Sequence, residues 1–330
     1  MQKNMRTKVN LIHCSHLREL FISLAIYFSS ENNILIIRES KYLTGDVISR
    51  LKIVFHNDLG KTVFFVRLIK KIDYFFYKAK EICLSIYIKN KYDVENLFVF
   101  CDGVCFVNIF SKSYINLYEH GLINYQYVEN MNIRSPNLLK SIKNKIFFES
   151  PTTYGRSKNV NSIFLFNPSS APKDILSKVK AIKLSVMWKK ISCEEKCKIL
   201  FVFNLSEEEI KNNFGSTSIV FTQPISEHDF VSESKKIEIY KRLIEEFDLH
   251  DAVIKKHPRE TTDYSLYFNN KIIDNIAPFE LYELYGVRFS RAATLYSSVV
   301  NSFSYDLEVL YLGVEYDDEL LAVRGGMDLQ

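Results

Sequence analysis

A chain of 330 residues, 47% hydrophobic and 25% charged, has the size and composition of a globular protein with two ordinary domains, which excludes a disordered or fibrous class. The net charge of +4 is modest and spread along the chain, so a nucleic-acid binder built on a basic stripe is excluded, while an anionic partner such as a nucleotide or lipid headgroup is weakly favoured. The six cysteines, among them Cys101 with Cys105 and Cys193 with Cys197, make neither a disulfide framework nor a zinc motif, and imply reduced thiols in a cytoplasmic setting.

The first apolar run, Val9–Cys14, is too short for a signal-peptide core and reads as an opening strand; no run is long enough to span a membrane. Residues Leu17–Phe28 carry helical spacing of apolar side chains, and further strands are expected at Ile34–Ile37, Leu51–Phe55, Leu97–Cys101 and Tyr114–Tyr118. The basic, aromatic stretch Phe64–Lys78 reads as a helix, either in the core with a lysine-rich outer face or as an amphipathic segment touching a membrane. Glu149–Asn159, polar with Pro151 and Gly155, is the best linker. A second strand series follows at Ser162–Phe166, Lys198–Phe203, Ser218–Phe221, Ala252–Lys256, Ala292–Tyr296 and Val309–Leu312. Ser232–Phe247 is a helix with Ile237, Tyr240, Leu243, Ile244 and Phe247 on one face. This alternation predicts an α/β protein with mostly parallel sheet, in two Rossmann-like domains facing a cleft, 1–155 and 156–330. The GxGxxG and GxxxxGK[ST] phosphate loops are both absent.

Four strand ends carry chemistry-bearing residues. Ala252–Lys256 runs into His257-Pro258-Arg259, where proline stops the strand. In open α/β sheets ligands bind at carboxyl strand ends; there a histidine exchanges protons near neutral pH and an arginine forks onto phosphate or carboxylate. Alone, the tripeptide also reads as a strand terminus with a solvated basic cluster. Val220-Phe221-Thr222 leads into Gln223-Pro224 and a loop holding Glu227 and Asp229, acids that also suit the start of the following helix. Tyr114–Tyr118 ends in Glu119-His120-Gly121, and Ala292–Tyr296 in Ser297-Ser298, whose hydroxyls suit either a phosphate or a helix cap.

Taken together, these sites resemble the bacterial sialyltransferases of glycosyltransferase family 52. The resemblance runs from the strand Val9-Asn10-Leu11-Ile12 through an acid-acid-Gly motif represented by Glu119-His120-Gly121. It continues through the Gln223-Pro224 loop, His257-Pro258-Arg259 and Ser297-Ser298, the C-terminal half being the more specific. It implies a GT-B-like fold and an inverting transfer from CMP-sialic acid that needs no metal or other cofactor. His257 is implied to meet the departing CMP phosphate, and Arg259, Ser297, Ser298, Gln223 and Pro258 to line the nucleotide. The base is implied to be a carboxylate of the upstream loop, Asp229 or Glu227, with Glu119 as the remaining candidate. His120 stands where the family has a second acid.

The partners implied are CMP-sialic acid and a galactose-type glycan acceptor of a bacterial capsule or lipooligosaccharide, with a lipid carrier, peripheral membrane contact and a homodimer left open. Two other readings also remain open: a GT-B transferase for another activated sugar, and a catalytically silent glycan-assembly subunit. The residue types fit sugar transfer independently of the resemblance. A carboxylate can accept the proton of an attacking hydroxyl, and cationic and N–H donors can meet a phosphate leaving group.

Overall fold

The computed structural model describes residues 6–40, 43, 45–56, 62–67, 74–126, 138–212 and 217–324. The chain forms two units, Met1–Val202 and Phe203–Gln330, each built on its own parallel sheet. The expected α/β class is therefore met.

In chain order the first unit contains β1 (Thr7–Cys14), α1 (Leu17–Ser29), β2 (Asn33–Glu39), α2 (Gly45–His56), β3 (Thr62–Arg67) and α3 (Tyr74–Lys91). It continues with β4 (Tyr92–Val99), α4 (Cys105–Ile109), β5 (Tyr114–Tyr118), α5 (Leu138–Ile146), β6 (Ser162–Leu165), β7 (Val179–Ala181), α6 (Leu184–Lys190) and α7 (Cys193–Val202). The strands lie in the order β3-β2-β1-β4-β5-β6-β7. Leu11, Ile12 and Cys14 of β1 and Leu35, Ile36 and Ile37 of β2 are all inaccessible, as strands covered by helices on both faces require. Helix α1 is buried from Glu19 to Phe28 because it packs on β1 and β2 and also meets α6 and α7.

Two expected strands are helices. Leu51–Phe55 belongs to α2, where Val47, Ile48 and Leu51 repeat at helical spacing on the buried face while Ile53 is 61% exposed. Lys198–Phe203 mostly belongs to α7, which starts at a reciprocal cap: Glu195 N donates to Ser192 Oγ (3.2 Å), and Ser192 N to Glu195 Oε2 (3.1 Å). The short apolar runs hid these helices because periodicity cannot separate a brief buried helix from a buried strand.

The expected helix over Phe64–Lys78 also divides. Phe64, Phe65 and Val66 lie in β3, paired in parallel with β2, and residues 68–73 fall outside the described residues. Lys78 belongs to α3 and is buried between Glu81 (2.7 Å) and Glu149 (2.6 Å), so it is no part of a lysine-rich outer face.

The boundary between the units differs from the expected one too. The polar stretch Glu149–Asn159 is not a linker but a loop folded onto Asp102, a buried carboxylate. Asp102 accepts the N–H groups of Thr153 (2.8 Å), Tyr154 (3.2 Å) and Gly155 (2.9 Å) and the Thr153 hydroxyl. Gly155 has φ +97°, and a Cβ there would run into the Ile163 side chain. The loop thereby delivers β6 to β5, so Ser162–Leu165 extends the first sheet and the first unit continues to Val202.

The second unit contains α8 (Glu207–Asn212), β8 (Ser218–Phe221), α9 (Glu233–Glu246), β9 (Val253–Lys255), β10 (Ile272–Ile273), α10 (Phe279–Leu284), β11 (Arg291–Thr294), β12 (Glu308–Tyr311) and α11 (Asp318–Arg324). Its sheet order is β10-β9-β8-β11-β12. Helix α9 packs its predicted apolar face into the core of this unit, and Ser232 caps it by accepting from Lys235 N at 3.1 Å. After β10 the chain returns across β8 to build β11 and β12, which makes the carboxyl ends of β8 and β11 a topological switch point.

Asp102→Ala should destabilise the protein by about 2–4 kcal/mol in urea unfolding, because several buried or half-buried donors lose one shared anionic acceptor. A change below about 0.5 kcal/mol would show that the loop holds itself.

Candidate active site

Strand register places the candidate residues of the second unit. Lys255, Phe221 and Thr294 pair across β9, β8 and β11, so they form one row. His257, Gln223 and Tyr296 lie two residues beyond that row, with Ser297 and Ser298 next. At roughly 4.8 Å per strand, the β9 and β11 ends are about 10 Å apart. Thr294 ties the row together: its hydroxyl donates to Phe221 O (3.1 Å) and accepts Ser297 N–H (3.1 Å).

The His257-Pro258-Arg259 turn is closed by Glu260, which the sequence reading passed over. His257 N donates to Glu260 Oε2 (2.7 Å), and Glu260 N donates back to His257 O (3.0 Å). Glu260 also accepts the hydroxyls of Thr222 and Tyr264 (2.6 Å for the latter). Burial raises its pKa, against the pull of those donors and of Lys236. The spacing of Glu260, three residues after His257, was the signal that could have found it.

Lys236, on α9, is the second residue missed. Its ammonium is inaccessible and lies 2.8 Å from Glu227, 3.4 Å from Glu260 and 3.6 Å from Glu233. It falls one helical turn before Tyr240, so a lysine interrupting an apolar stripe was its sequence signature. Tyr240, on the same face, accepts Gln223 N–H at 2.6 Å.

The two loop acids are sharply different. Glu227 accepts from Lys236 at 2.8 and 2.9 Å and from Thr261 N at 2.7 Å. Burial works to raise its pKa, but Lys236 and the Thr261 N–H outweigh it and draw the carboxyl down to about 2. Asp229 is exposed, sits at φ +58°, and has no side-chain hydrogen bond or ion pair among the described residues. The helix cap is Ser232, so capping does not account for Asp229.

Arg259 N donates to His257 Nδ1 at 3.1 Å, which assigns the proton of the neutral ring to Nε2. Burial, then the charges of Arg259, Lys255 and His228, lower the His257 pKa to about 3. Near neutral pH these charges favour a neutral imidazole with an Nε2–H donor. Pro258 and Arg259 are exposed. Ser297 caps the short 3-10 turn Ser298–Asn301 through Val299 N (3.4 Å), so no α-helix begins there, and Ser298 keeps its hydroxyl uncommitted among the described residues.

Glu119 and His120 lie in the first unit, at the end of β5. Glu119 is buried, with Arg18 Nη1 on one oxygen (3.1 Å) and Phe166 N (2.9 Å) and the Tyr125 hydroxyl on the other. His120 Nδ1 meets Glu19 Oε1 at 2.8 Å. That bond raises the His120 pKa, while burial of Glu19 is overcome by His120 and His16, which hold its carboxyl far below the usual range. His120 is therefore paired with an acid that the sequence reading did not single out.

The model of glycosyltransferase family 52 matches residues 32–309. An uncharacterized protein of Haemophilus influenzae is 38% identical over 201 residues, 60% of this chain and 64% of that protein's length. Among solved structures, the α/β-galactoside α-2,3-sialyltransferase of the luminous marine bacterium Photobacterium phosphoreum is similar in fold. Its TM-score is 0.60 at 16% identity, over 96% of this chain and 94% of that one. The UDP-GlcNAc 2-epimerase of Methanocaldococcus jannaschii gives a TM-score of 0.48 at 12% identity, over 96% and 91% of the two chains.

The depressed His257 pKa has a directional consequence. In the free protein its imidazole should stay neutral from pH 8 down to about pH 5, whereas an unperturbed ring protonates near 6.5. Nitrogen-15 spectra of the ring test this; an imidazolium at pH 6 in the absence of ligand would contradict the assigned electrostatics.

Proposed function

The chain belongs to glycosyltransferase family 52, and on that premise we propose that it is a sialyltransferase. In this reading it moves sialic acid from CMP-sialic acid, with inversion, to a galactose-type hydroxyl of a bacterial capsular or lipooligosaccharide glycan. The observation that carries the proposal is the His257–Arg259 turn: a neutral Nε2–H donor beside a guanidinium at a carboxyl strand edge. The GT-B-like likeness to a galactoside sialyltransferase supports it.

The donor's phosphate is assigned to His257, Arg259, Ser298 and Ser297, with Gln223 and Pro258 shaping the nucleotide site. CMP leaves as a phosphate monoester, and positive groups held in place before the reaction stabilise the charge that develops on it. Protein donors fill this role, so no divalent metal is required at the leaving group. The acceptor's proton goes to Asp229, the uncommitted loop acid. Glu227 is a weaker base at a pKa of about 2, because proton acceptors work best with a pKa near the working pH. In this proposal the reaction takes place on the cytoplasmic side, in keeping with the reduced thiols expected from the cysteine pattern.

The deciding assay is CMP release from CMP-sialic acid with a panel of galactosides, without added Mg²⁺ or Mn²⁺, in competition with CMP-Kdo and UDP-sugars. His257→Ala should lose on the order of 10²–10⁴ in turnover. Arg259→Ala and the Ser297→Ala/Ser298→Ala double variant should weaken CMP binding about tenfold to a hundredfold by calorimetry, the cost of one charged hydrogen bond. Preference for another donor would redirect the assignment to a different activated sugar, and CMP binding without turnover would indicate a silent subunit.

The two loop acids separate in the same assay. Asp229→Asn should fold, bind CMP and lose acceptor sialylation. Glu227→Gln should instead lower stability by loosening Lys236. If Glu227→Gln alone abolishes turnover in a protein of unchanged stability, the base is Glu227.

A further inference from the structure

The first sheet has its own switch point, between β1 and β4, and the carboxyl ends of β1 and nearby β5 bring two histidines to one buried carboxylate. His16 and Glu19 lie at the start of α1, and His120 follows β5. Glu19 Oε1 is 2.8 Å from His120 Nδ1 and 3.2 Å from His16 Nδ1, and the three donor atoms all lie within 4.8 Å of one another. A tetrahedral zinc-type ion with bonds of about 2.0–2.1 Å separates its ligand atoms by roughly 3.3 Å, near both Glu19 distances, and to bind one His16 Nδ1 would exchange its 2.9 Å contact with Ser15 Oγ for the metal.

The surroundings are those of an oriented ligand set. The second oxygen of Glu19 is held by Ser15 N (2.7 Å), Ser15 Oγ (3.0 Å) and His16 N (3.1 Å), which aims Oε1 at the imidazoles. His120 is fixed through its own N–H to Asn124 Oδ1 at 2.8 Å, and Asn124 is inaccessible. The Glu19 side chain is 6% exposed, but those of His16 and His120 are 31% and 35% exposed, leaving one side open to solvent.

We propose that His16 Nδ1, Glu19 Oε1 and His120 Nδ1 bind a divalent transition-metal ion of the zinc type, with a fourth position open to water or a ligand. Two imidazoles and one carboxylate favour Zn²⁺ or Co²⁺ over the all-oxygen preference of Mg²⁺ and Ca²⁺. The lack of a zinc motif among the cysteines does not bear on this site, since no local spacing reveals a histidine 101 residues from its carboxylate partner. The site lies wholly in the first unit and is independent of the sialyltransferase reading.

The test uses the full chain, stripped with chelator and then titrated with Zn²⁺ by calorimetry and with Co²⁺ by visible absorption. One ion per chain is expected, with the intense d–d bands of a four-coordinate cobalt centre and no comparable Mg²⁺ binding. His16→Gln and His120→Gln should each weaken Zn²⁺ binding by at least about 10–100-fold, the loss seen even for outer-shell partners. His120 is partly exposed and lies outside α1, so His120→Gln is the variant that spares the fold, whereas His16 and Glu19 share the capping box of α1 and their variants are checked by circular dichroism before titration. Failure of the wild type to bind Zn²⁺, or equal binding by the His16→Gln/His120→Gln double variant, would overturn the proposal and leave an ion-paired cluster.

Discussion

One buried ammonium organises the second unit. Lys236 has no access to water, and an uncompensated buried charge is expensive, so it needs carboxylates around it. The three it finds come from separate segments: Glu227 from the loop after β8, Glu233 from the first turn of α9, and Glu260 from the turn after β9. Removing one partner of such a cluster typically costs about 3–5 kcal/mol, since the others are left buried and unpaired. Lys236 therefore fastens to one helix the two loops that carry Gln223, Asp229, His257 and Arg259. Glu260 passes the constraint upward by holding His257 N, and Thr261 N passes it sideways to Glu227. The exposed turn gets its shape from charges buried beneath it.

The same electrostatics prepare the turn for an anion. Lys255 and Arg259 both disfavour a proton on His257, and Lys255 is itself drawn down to about 8 by burial while its ammonium donates to Asn275 O (2.6 Å) and Lys256 O (3.2 Å). Burial is the larger part of that shift and favours no charge, but the part due to Arg259 and Lys255 would favour an anion such as the proposed phosphate. Once an anion offsets those charges, the proton affinity of His257 rises, so binding of the proposed leaving group and protonation of the ring are coupled in sign. A histidine neutral when the site is empty and more readily protonated when it is filled is suited to a phosphate monoester whose charge grows as the sugar departs.

Much of this arrangement was legible in the chain. The strand ends that carry Glu119, Gln223, His257 and Ser297 were each marked by an apolar run meeting proline, glycine or a polar cluster, and register confirms three of them as neighbours. What stayed hidden has identifiable physical causes. Leu51–Phe55 and Lys198–Phe203 are too short for periodicity to distinguish helix from strand. The linker reading of Glu149–Asn159 failed because a single distant acid, Asp102, satisfies its backbone donors, and composition carries no trace of such a partner. Lys236 and Glu19 were passed over for another reason: each is a charged residue on a buried helix face, and local sequence does not mark it as buried.

The three candidate carboxylates show why residue type alone does not assign a proton acceptor. All are acids near strand ends, and they differ in prior commitments. Glu119 spends both oxygens on Arg18, Tyr125 and Phe166, holding the β5 and β6 ends together. Glu227 neutralises Lys236, and protonating it would strip that ammonium of its nearest anion. Asp229 compensates no buried charge and caps no helix, yet its backbone occupies a left-handed conformation that costs most non-glycine residues about 1 kcal/mol or more. Aspartate tolerates that region better than most, and the turn there is closed by Asp229 N to Ser226 O (3.0 Å) and Phe230 N to Ile225 O (3.0 Å). An exposed carboxylate on a strained turn, with no buried charge to compensate, is the one of the three whose chemistry is uncoupled from the fold around it, as the proposed proton acceptor requires.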